Sequence, residues 1–170
     1  MSAVHLHLLL NHVPVIGTLL ALCLLAYAAL RRDDGVARAS LGLFALLTLV
    51  AIAVFLTGEP AEEAVEGLAG VPESLVERHE EAALLSTIAL GVMGGLSLAA
   101  LFWFRRRAIP RTAALLLLAA ALLPAGAMAW TASLGGQIRH SEIRPGAAAL
   151  AEIPGENAEL VEQSDDDRDR

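Results

Sequence analysis

Four long apolar runs organise this chain, and charged side chains occur only between and after them. The runs contain no Asp, Glu, Lys or Arg, and they cover residues 1–30, 39–58, 82–104 and 112–138. Each run reaches the length of about 20 residues that a helix needs to cross the hydrocarbon core of a bilayer. Backbone polar groups in lipid must be satisfied within their own segment, which favours helices. The pattern therefore predicts an all-α membrane protein with four transmembrane helices in an antiparallel bundle.

Proline and glycine set the expected ends of these helices. Pro14 removes a backbone hydrogen bond inside the first run, so we expect a kink near Asn11 and His12. Gly135 and Gly136 are expected to end the fourth helix. The helices are expected over residues 4–30, 39–57, 73–104 and 112–134, with a short interfacial helix over residues 59–68.

The composition of the chain changes near Pro145, where the apolar runs have ended. Residues 145–170 are rich in Ala, Gly, Pro and acidic side chains, and they end in the charged segment 165–170. Such a segment cannot bury enough apolar surface to order itself. We therefore predict one transmembrane domain over residues 1–144 and a disordered acidic tail over residues 145–170.

Arginine is unevenly distributed between the connecting segments, and its distribution predicts the orientation. All 12 basic residues are arginine, and seven of them lie in residues 31–38 and 105–111. Short cytoplasmic loops are enriched in basic residues, so both segments are predicted to be cytoplasmic and both termini periplasmic or extracellular. We expect the first run to be retained as a helix in a bacterial inner membrane, because it is longer than the apolar part of a signal peptide and follows no positive charge.

Charge and small residues narrow the range of partners. A net charge of −7, with no basic stripe of interleaved aromatic residues, argues against nucleic-acid binding. The lipid bilayer is the expected partner. Gly91 and Gly95 form a small-xxx-small pair with Gly94 beside it, which predicts close helix contact. Packing within the bundle is the favoured interpretation, and a homo-oligomer through Gly91 and Gly95 is the alternative.

Histidine and carboxylate side chains collect at the end of the predicted bundle that lacks the arginine-rich segments. His5 and His12 are seven residues apart and share one face of the first helix, whereas His7 points to the opposite face. His12 is the most informative histidine, because an ionisable group inside an apolar run is costly and usually functional. The alternative is a neutral imidazole that donates to a carbonyl freed by Pro14.

This cluster has the composition of a transition-metal or haem site. Imidazoles and carboxylates on neighbouring helices are common ligands of transition metals. Two imidazoles that face each other hold haem b, and His12 with His79 is the favoured pair. A solvated acidic surface and a polar loop cap are the alternatives. The candidate cofactor-binding residues are His12, His79, Arg139 and His140, and the candidate metal ligands are His5, His12, Glu59, Glu63, His79, Glu80 and His140.

Four segments of the chain resemble a family of uncharacterised bacterial membrane proteins. The segments are residues 5–14 (HLHLLLNHVP), 57–63 (TGEPAEE), 79–81 (HEE) and 135–142 (GGQIRHSE). Members of that family have four helices and a histidine-rich first helix, and some relatives are joined to cytochrome c or Rieske-type modules. The resemblance covers about residues 1–144. It implies a redox role in the membrane, with other respiratory or redox membrane subunits as partners.

The favoured hypothesis is a small redox or electron-transfer subunit of the bacterial inner membrane. Its exterior-side His/Glu cluster would bind haem b or a transition metal. The alternative is a non-catalytic accessory or assembly protein whose polar cluster only satisfies helix ends. A metal-dependent membrane hydrolase ranks last, because the chain has no identifiable nucleophile and no His-Glu-x-x-His zinc motif.

Overall fold

The computed structural model describes residues 2–64 and 70–145, and every element in these ranges is helical. A short 3₁₀ turn covers Ser141–Ile143. The predicted acidic tail, apart from Pro145, lies outside the described residues. The α-helices are α1 (Ala3–Leu10), α2 (His12–Arg31), α3 (Asp34–Leu56), α4 (Gly58–Glu63), α5 (Glu73–Trp103) and α6 (Arg111–Arg139).

Four helical segments are long and apolar enough to cross a membrane, as the apolar runs predicted. They are α1 with α2 taken together, α3, α5 and α6, with 29, 23, 31 and 29 residues. Only 28–33% of the most apolar stretch of each segment is buried inside the protein. Large apolar side chains therefore cover the outside of the bundle, and Leu116 and Leu123 are more than two-thirds exposed. An outer surface of this kind suits lipid rather than water.

Two helix boundaries agree with the sequence pattern. The helix of the first run is interrupted at Asn11, three residues before Pro14, where the chain passes from α1 to α2. The helix of the third run begins at Glu73 and ends at Trp103, within one residue of the predicted end. Pro72 precedes α5 in an extended conformation, which is where proline is compatible with a helix start.

Two other boundaries were predicted wrongly. Helix α3 begins at Asp34 rather than at residue 39, because the side chain of Asp33 accepts a hydrogen bond from the Val36 backbone N–H at 3.0 Å and caps the helix. Helix α6 continues through Gly135 and Gly136 to Arg139. The glycine pair does not stop the helix, and one of its members instead leaves room for a side chain of α5.

Small and hydroxyl-bearing residues hold the helices together. Thr48 Oγ1 donates to the backbone carbonyls of Phe44, at 3.0 Å, and Leu90, at 2.9 Å, so it joins α3 to α5. Ser40 Oγ donates to the Ala21 carbonyl at 2.7 Å and joins α3 to α2. Hydrogen bonds of this kind are common at helix interfaces in membranes. The apolar core around them contains Ala21, Leu25, Leu41, Phe44, Leu47, Ala51, Leu90, Met93, Ala121 and Met128.

Close packing at the glycines of α5 involves a different residue from the pair that the sequence favoured. A methyl group added at Gly94 would overlap the hydroxyl of Thr48 and lie 3.0 Å from its Cβ. A methyl group at Gly91 or Gly95 would meet nothing within 4 Å in the described chain. The expectation of packing within the bundle is therefore wrong for Gly91 and Gly95. Their surface is open.

An arginine and an aspartate tie the segment after α5 to the start of α3. Asp34 accepts a hydrogen bond from the Ile109 backbone N–H at 2.7 Å and forms an ion pair with Arg38 at 2.6 Å. Arg38 also donates to the carbonyls of Phe104, at 2.9 Å, and Arg107, at 2.8 Å. These bonds satisfy backbone groups of the connection between α5 and α6.

Candidate functional site

His7 is turned towards another helix, whereas its two neighbouring histidines are not. Ser2 precedes α1 as its N-cap, and its hydroxyl accepts a hydrogen bond from the His5 backbone N–H at 3.3 Å. One turn later, His7 is half-buried, and its Nδ1 lies 3.0 Å from the carbonyl oxygen of Val54, near the end of α3. A carbonyl oxygen can only accept, so Nδ1 is the protonated nitrogen of this imidazole.

His79 makes the same kind of contact from α5. Its Nδ1 lies 3.1 Å from the carbonyl oxygen of Thr131 in α6, so Nδ1 again donates. Thr131 is itself fixed by two bonds of its hydroxyl, which accepts from Ser86 at 2.7 Å and donates to the Ala127 carbonyl at 3.1 Å. The carbonyl that orients His79 therefore belongs to a buried and well-connected residue.

Gly135 gives His79 its space. A methyl group at this position would lie 3.0 Å from Cε1 of the imidazole and 3.4 Å from its Nδ1. Any larger side chain would displace the ring from its carbonyl partner. A glycine in the middle of a helix is unfavourable by roughly 0.5–1 kcal/mol relative to alanine. Its presence opposite the imidazole thus has a packing reason in the structure.

The two imidazoles share one end of the bundle and have the same protonation pattern. When Nδ1 carries the proton and the ring is neutral, Nε2 keeps its lone pair and is free to bind a metal. A hydrogen bond from the other nitrogen to a carbonyl is the usual way in which a protein orients a metal-binding histidine. His7 and His79 therefore have the local arrangement of ligands.

Of the seven predicted metal ligands, only His79 is partly buried. The other six side chains are exposed: His5, His12, Glu59, Glu63, Glu80 and His140. Arg139, the predicted partner of an anionic group, is exposed as well. Within residues 2–64 and 70–145, no three side chains of His, Cys, Asp or Glu are grouped so that they could hold a metal ion. The structure thus does not bring the predicted cluster together as a set.

Of the three exposed histidines, His5 and His140 bond to nearby side chains, and His12 has no partner within the described ranges. His5 forms a hydrogen bond with Ser2 at 2.7 Å, and His140 forms one with Glu142 at 2.9 Å. The pKa of Glu142 lies below its ordinary value. The main cause is a hydrogen bond from the Glu142 backbone N–H, and the next is the hydrogen bond from His140. His12, the first residue of α2, lies on the outer surface of the bundle.

Sequence reasoning missed three residues of this region: His7, Gly135 and Arg144. The helical spacing did separate His7 from His5 and His12, but it favoured the face of His5 and His12, whereas the structure turns His7 towards α3. Arg144 donates to the carbonyls of Gln137 and Gly70, both at 2.9 Å, and so ties the segment after α6 to the turn before α5. Nothing in the spacing of Arg144 indicated this contact. The glycine pair was a usable signal, since mid-helix glycine usually has a packing reason.

Comparisons with known proteins do not identify a family for this chain. Protein-family models, curated proteins and solved structures were compared with the chain, and none matches it.

Proposed function

We propose that this protein is a small redox subunit of the bacterial inner membrane in which His7 and His79 bind a transition-metal centre. The centre is either the iron of haem b or a single metal ion. One observation carries the proposal. Both imidazoles donate Nδ1–H to main-chain carbonyls of neighbouring helices, which leaves two Nε2 lone pairs at the same end of the bundle.

Two imidazoles are enough for the axial positions of haem b, whereas a single metal ion would need further ligands, because no third His, Cys, Asp or Glu within residues 2–64 and 70–145 joins them. Two imidazoles supply the axial ligands of haem b, and imidazole also suits the redox-active ions of Cu and Fe. The missing side chain at residue 135 leaves room for the His79 imidazole next to the Thr131 carbonyl. The carbonyls of Val54 and Thr131 orient the rings and make their free nitrogens more basic. When bound, the centre would supply one-electron transfer.

Within this proposal, His7 replaces His12 as the partner of His79. The choice rests on burial, because His12 is exposed whereas His7 is half-buried against α3. Exposure also limits the role of the predicted carboxylate ligands. Glu59 and Glu63 are exposed and can act only as outer carboxylates, by coordinating a metal through water or by attracting a cation.

The proposed arrangement is an antiparallel bundle with both termini outside the cytoplasm. Contacts between the start of one helix and the end of the next support it, since His7 meets Val54, and Asp34 meets Ile109 beyond the end of α5. The arginine asymmetry supports the orientation, because basic residues concentrate in the connections at the end opposite to His7 and His79.

Cysteine accessibility tests the orientation. In a Cys23→Ser background, Ser141→Cys should react with an impermeant thiol reagent added to intact cells, and Ala108→Cys should react only after the membrane is permeabilised. Both positions are exposed in the structure, so burial does not protect either of them. The reverse pattern would place His7 and His79 at the cytoplasmic face.

A specific observation also favours the accessory role. Each imidazole bonds to a backbone carbonyl of another helix, which is what a purely structural tie between helices needs. In addition, the open surface at Gly91 and Gly95 would admit a second copy of the chain or a helix of a redox subunit. The decisive question is therefore whether the Nε2 atoms bind anything.

Asparagine substitutions separate the two roles. The side-chain amide of Asn can keep a donor near the position of Nδ1, but it has no counterpart of Nε2. We expect the purified wild type to contain a haem or metal ion, seen as a Soret band or by elemental analysis. His7→Asn and His79→Asn should lose it and remain folded. The matched controls His5→Asn and His12→Asn should keep it.

Three results would contradict parts of this proposal. A wild type with neither haem nor stoichiometric metal would contradict the redox role, and the accessory role would be the remaining hypothesis. Retention of the cofactor in both His7→Asn and His79→Asn would show that another set of residues binds it. Loss of the cofactor in His12→Asn alone would restore the pair that the sequence favoured.

A further inference from the structure

A second candidate site lies at the arginine-rich end of the bundle, away from His7 and His79. A cleft of about 420 Å³ opens between the end of α2, the start of α3 and the start of α6. Its apolar lining consists of five alanines and one isoleucine: Ala28, Ala29, Ala37, Ala108, Ala114 and Ile109. Alanine at these positions leaves space where longer side chains would fill the gap between the helices.

The charged lining of the cleft has two unpaired positive charges and one unpaired negative charge. Asp34 uses both carboxylate oxygens, one for the Ile109 N–H and one for Arg38. Asp33 uses one oxygen to cap α3 and is the one unpaired negative charge, because a backbone N–H does not neutralise a carboxylate. The guanidinium groups of Arg32 and Arg111 also line the cleft, and neither forms a hydrogen bond or an ion pair with residues 2–64 or 70–145. The cleft is therefore complementary to an anion.

Arg111 occupies a position that is unfavourable without an anion, and Arg32 has a strained backbone. Arg32 has φ +57°, a left-handed conformation that glycine adopts without strain and that other residues avoid. Arg111 is the first residue of α6, where a positive charge opposes the helix dipole. Pro110, which precedes α6, provides no side-chain cap for the first N–H groups of the helix. A phosphate in the cleft would offset both costs at the start of α6.

We propose that this cleft binds the headgroup of an anionic phospholipid. The phosphate would lie between Arg32 and Arg111, and the acyl chains would follow the outer surfaces of α2 and α6. The depth of the cleft supports a lipid as the occupant, because it lies where the membrane-spanning parts of α2 and α6 end. Leu30 and Leu116, each 72% exposed, belong to the helices that flank it. Basic pockets between transmembrane helices are known to bind acidic lipid headgroups.

The test uses the full chain in detergent micelles, with short-chain phosphatidylglycerol as the probe and phosphatidylcholine as the zwitterionic reference. Binding is measured by titration and by native mass spectrometry. We expect clear selectivity for phosphatidylglycerol. Arg111→Gln should weaken binding by roughly fivefold. Arg106→Gln, which removes the same charge from an exposed residue outside the cleft, should change binding by less than twofold.

Two further variants separate binding from folding. Arg32→Gly removes both the charge and the left-handed strain, so it should unfold at a higher temperature than the wild type and yet bind phosphatidylglycerol more weakly. Ala108→Leu, at an exposed lining position, fills the cleft without changing the charge. It should weaken binding as well, which diffuse electrostatic attraction would not predict.

Several outcomes would overturn the proposal. Equal affinity for phosphatidylglycerol and phosphatidylcholine would remove the anionic selectivity. An equal effect of Arg106→Gln and Arg111→Gln, or no effect of Ala108→Leu, would show that the cleft is not the site. Glycerol phosphate that binds as tightly as the lipid would identify a soluble phosphate as the occupant.

Discussion

Substitution of Gly94 by alanine tests whether α3 and α5 pack as closely as the structure shows. The new methyl group would overlap Thr48 Oγ1 and would lie 3.0 Å from Thr48 Cβ and 3.5 Å from the Phe44 carbonyl oxygen. Rotation of the Thr48 side chain cannot remove the contact with Cβ. That rotation would also break the hydrogen bond from Thr48 to the Leu90 carbonyl, which is 2.9 Å long and joins the two helices.

Three contributions determine the expected change in the free energy of unfolding. Overpacking in a core costs about 1–3 kcal/mol. Loss of the Thr48 hydrogen bond costs roughly 0.6–1 kcal/mol for a membrane helix pair. Replacement of glycine by alanine within a helix returns roughly 0.5–1 kcal/mol. The net expectation for Gly94→Ala is a destabilisation of about 1–3 kcal/mol, which is the overpacking term left after the other two nearly cancel.

Gly95→Ala is the matched control. Gly95 is the next residue of the same helix, and a methyl group there meets nothing within 4 Å in the described chain. Only the helix-propensity gain applies, so Gly95→Ala should leave stability unchanged or raise it by up to roughly 1 kcal/mol. Gly42→Ala in α3 has the same open surroundings and serves as a second control.

Unfolding by denaturant in detergent micelles, followed by far-ultraviolet circular dichroism, measures these differences. The double variant Gly94→Ala/Thr48→Ala completes a thermodynamic cycle. Removal of the Thr48 hydroxyl should cost less in the Gly94→Ala background than in the wild type, with a coupling energy of about 1 kcal/mol or more. If Gly94→Ala were as stable as Gly95→Ala, or if the cycle showed no coupling, the close approach of α3 and α5 at Thr48 would be refuted.

Three further expectations concern single polar groups. Thr18 is fully buried and its hydroxyl has no hydrogen-bond partner in the described chain, so the near-isosteric Thr18→Val should raise the unfolding free energy by about 1 kcal/mol in the same denaturant assay; a loss of stability would show that the hydroxyl is bonded. Asp33→Ala removes the cap of α3 and should lower stability by about 1 kcal/mol, with Asp33→Asn as the conservative control. The pKa of Glu142 is lowered in the folded chain, so its stabilisation of the Ser141–Ile143 turn should be present above the unfolded value of about 4.5 and lost as the pH falls through the lowered folded value. Carboxyl chemical shifts followed against pH would show this, and a Glu142 midpoint at or above the ordinary value would contradict it.

The sequence alone determined which segments form helices that are long and apolar enough to span a membrane. A run of about 20 residues without charge has few alternatives, because lipid offers no partner for an unsatisfied backbone group. The interruption at Asn11 was predictable for the same local reason, since Pro14 changes the hydrogen bonding of its own helix wherever that helix packs. Features of this kind depend only on neighbours along the chain.

Only the tertiary structure decided which face of each helix points inward. Helical spacing gives the angle between His5, His7 and His12, but it does not say which of them meets a neighbouring helix. In a soluble protein the apolar stripe would answer that question, whereas here leucines cover the outside and Thr18 and Ser97 lie within. The pattern of apolar residues along the sequence therefore does not indicate which face of a helix is buried.

Gly135 shows the same division between local and tertiary information. The sequence marked it as an unusual position and suggested a helix end, which is the usual local effect of two adjacent glycines. In the folded chain the helix continues, and the missing side chain gives His79 its place next to the Thr131 carbonyl. A glycine can relax its own backbone or make room for a neighbour, and only the packing of α5 against α6 determines which of the two occurs, because the neighbour is more than fifty residues away along the chain.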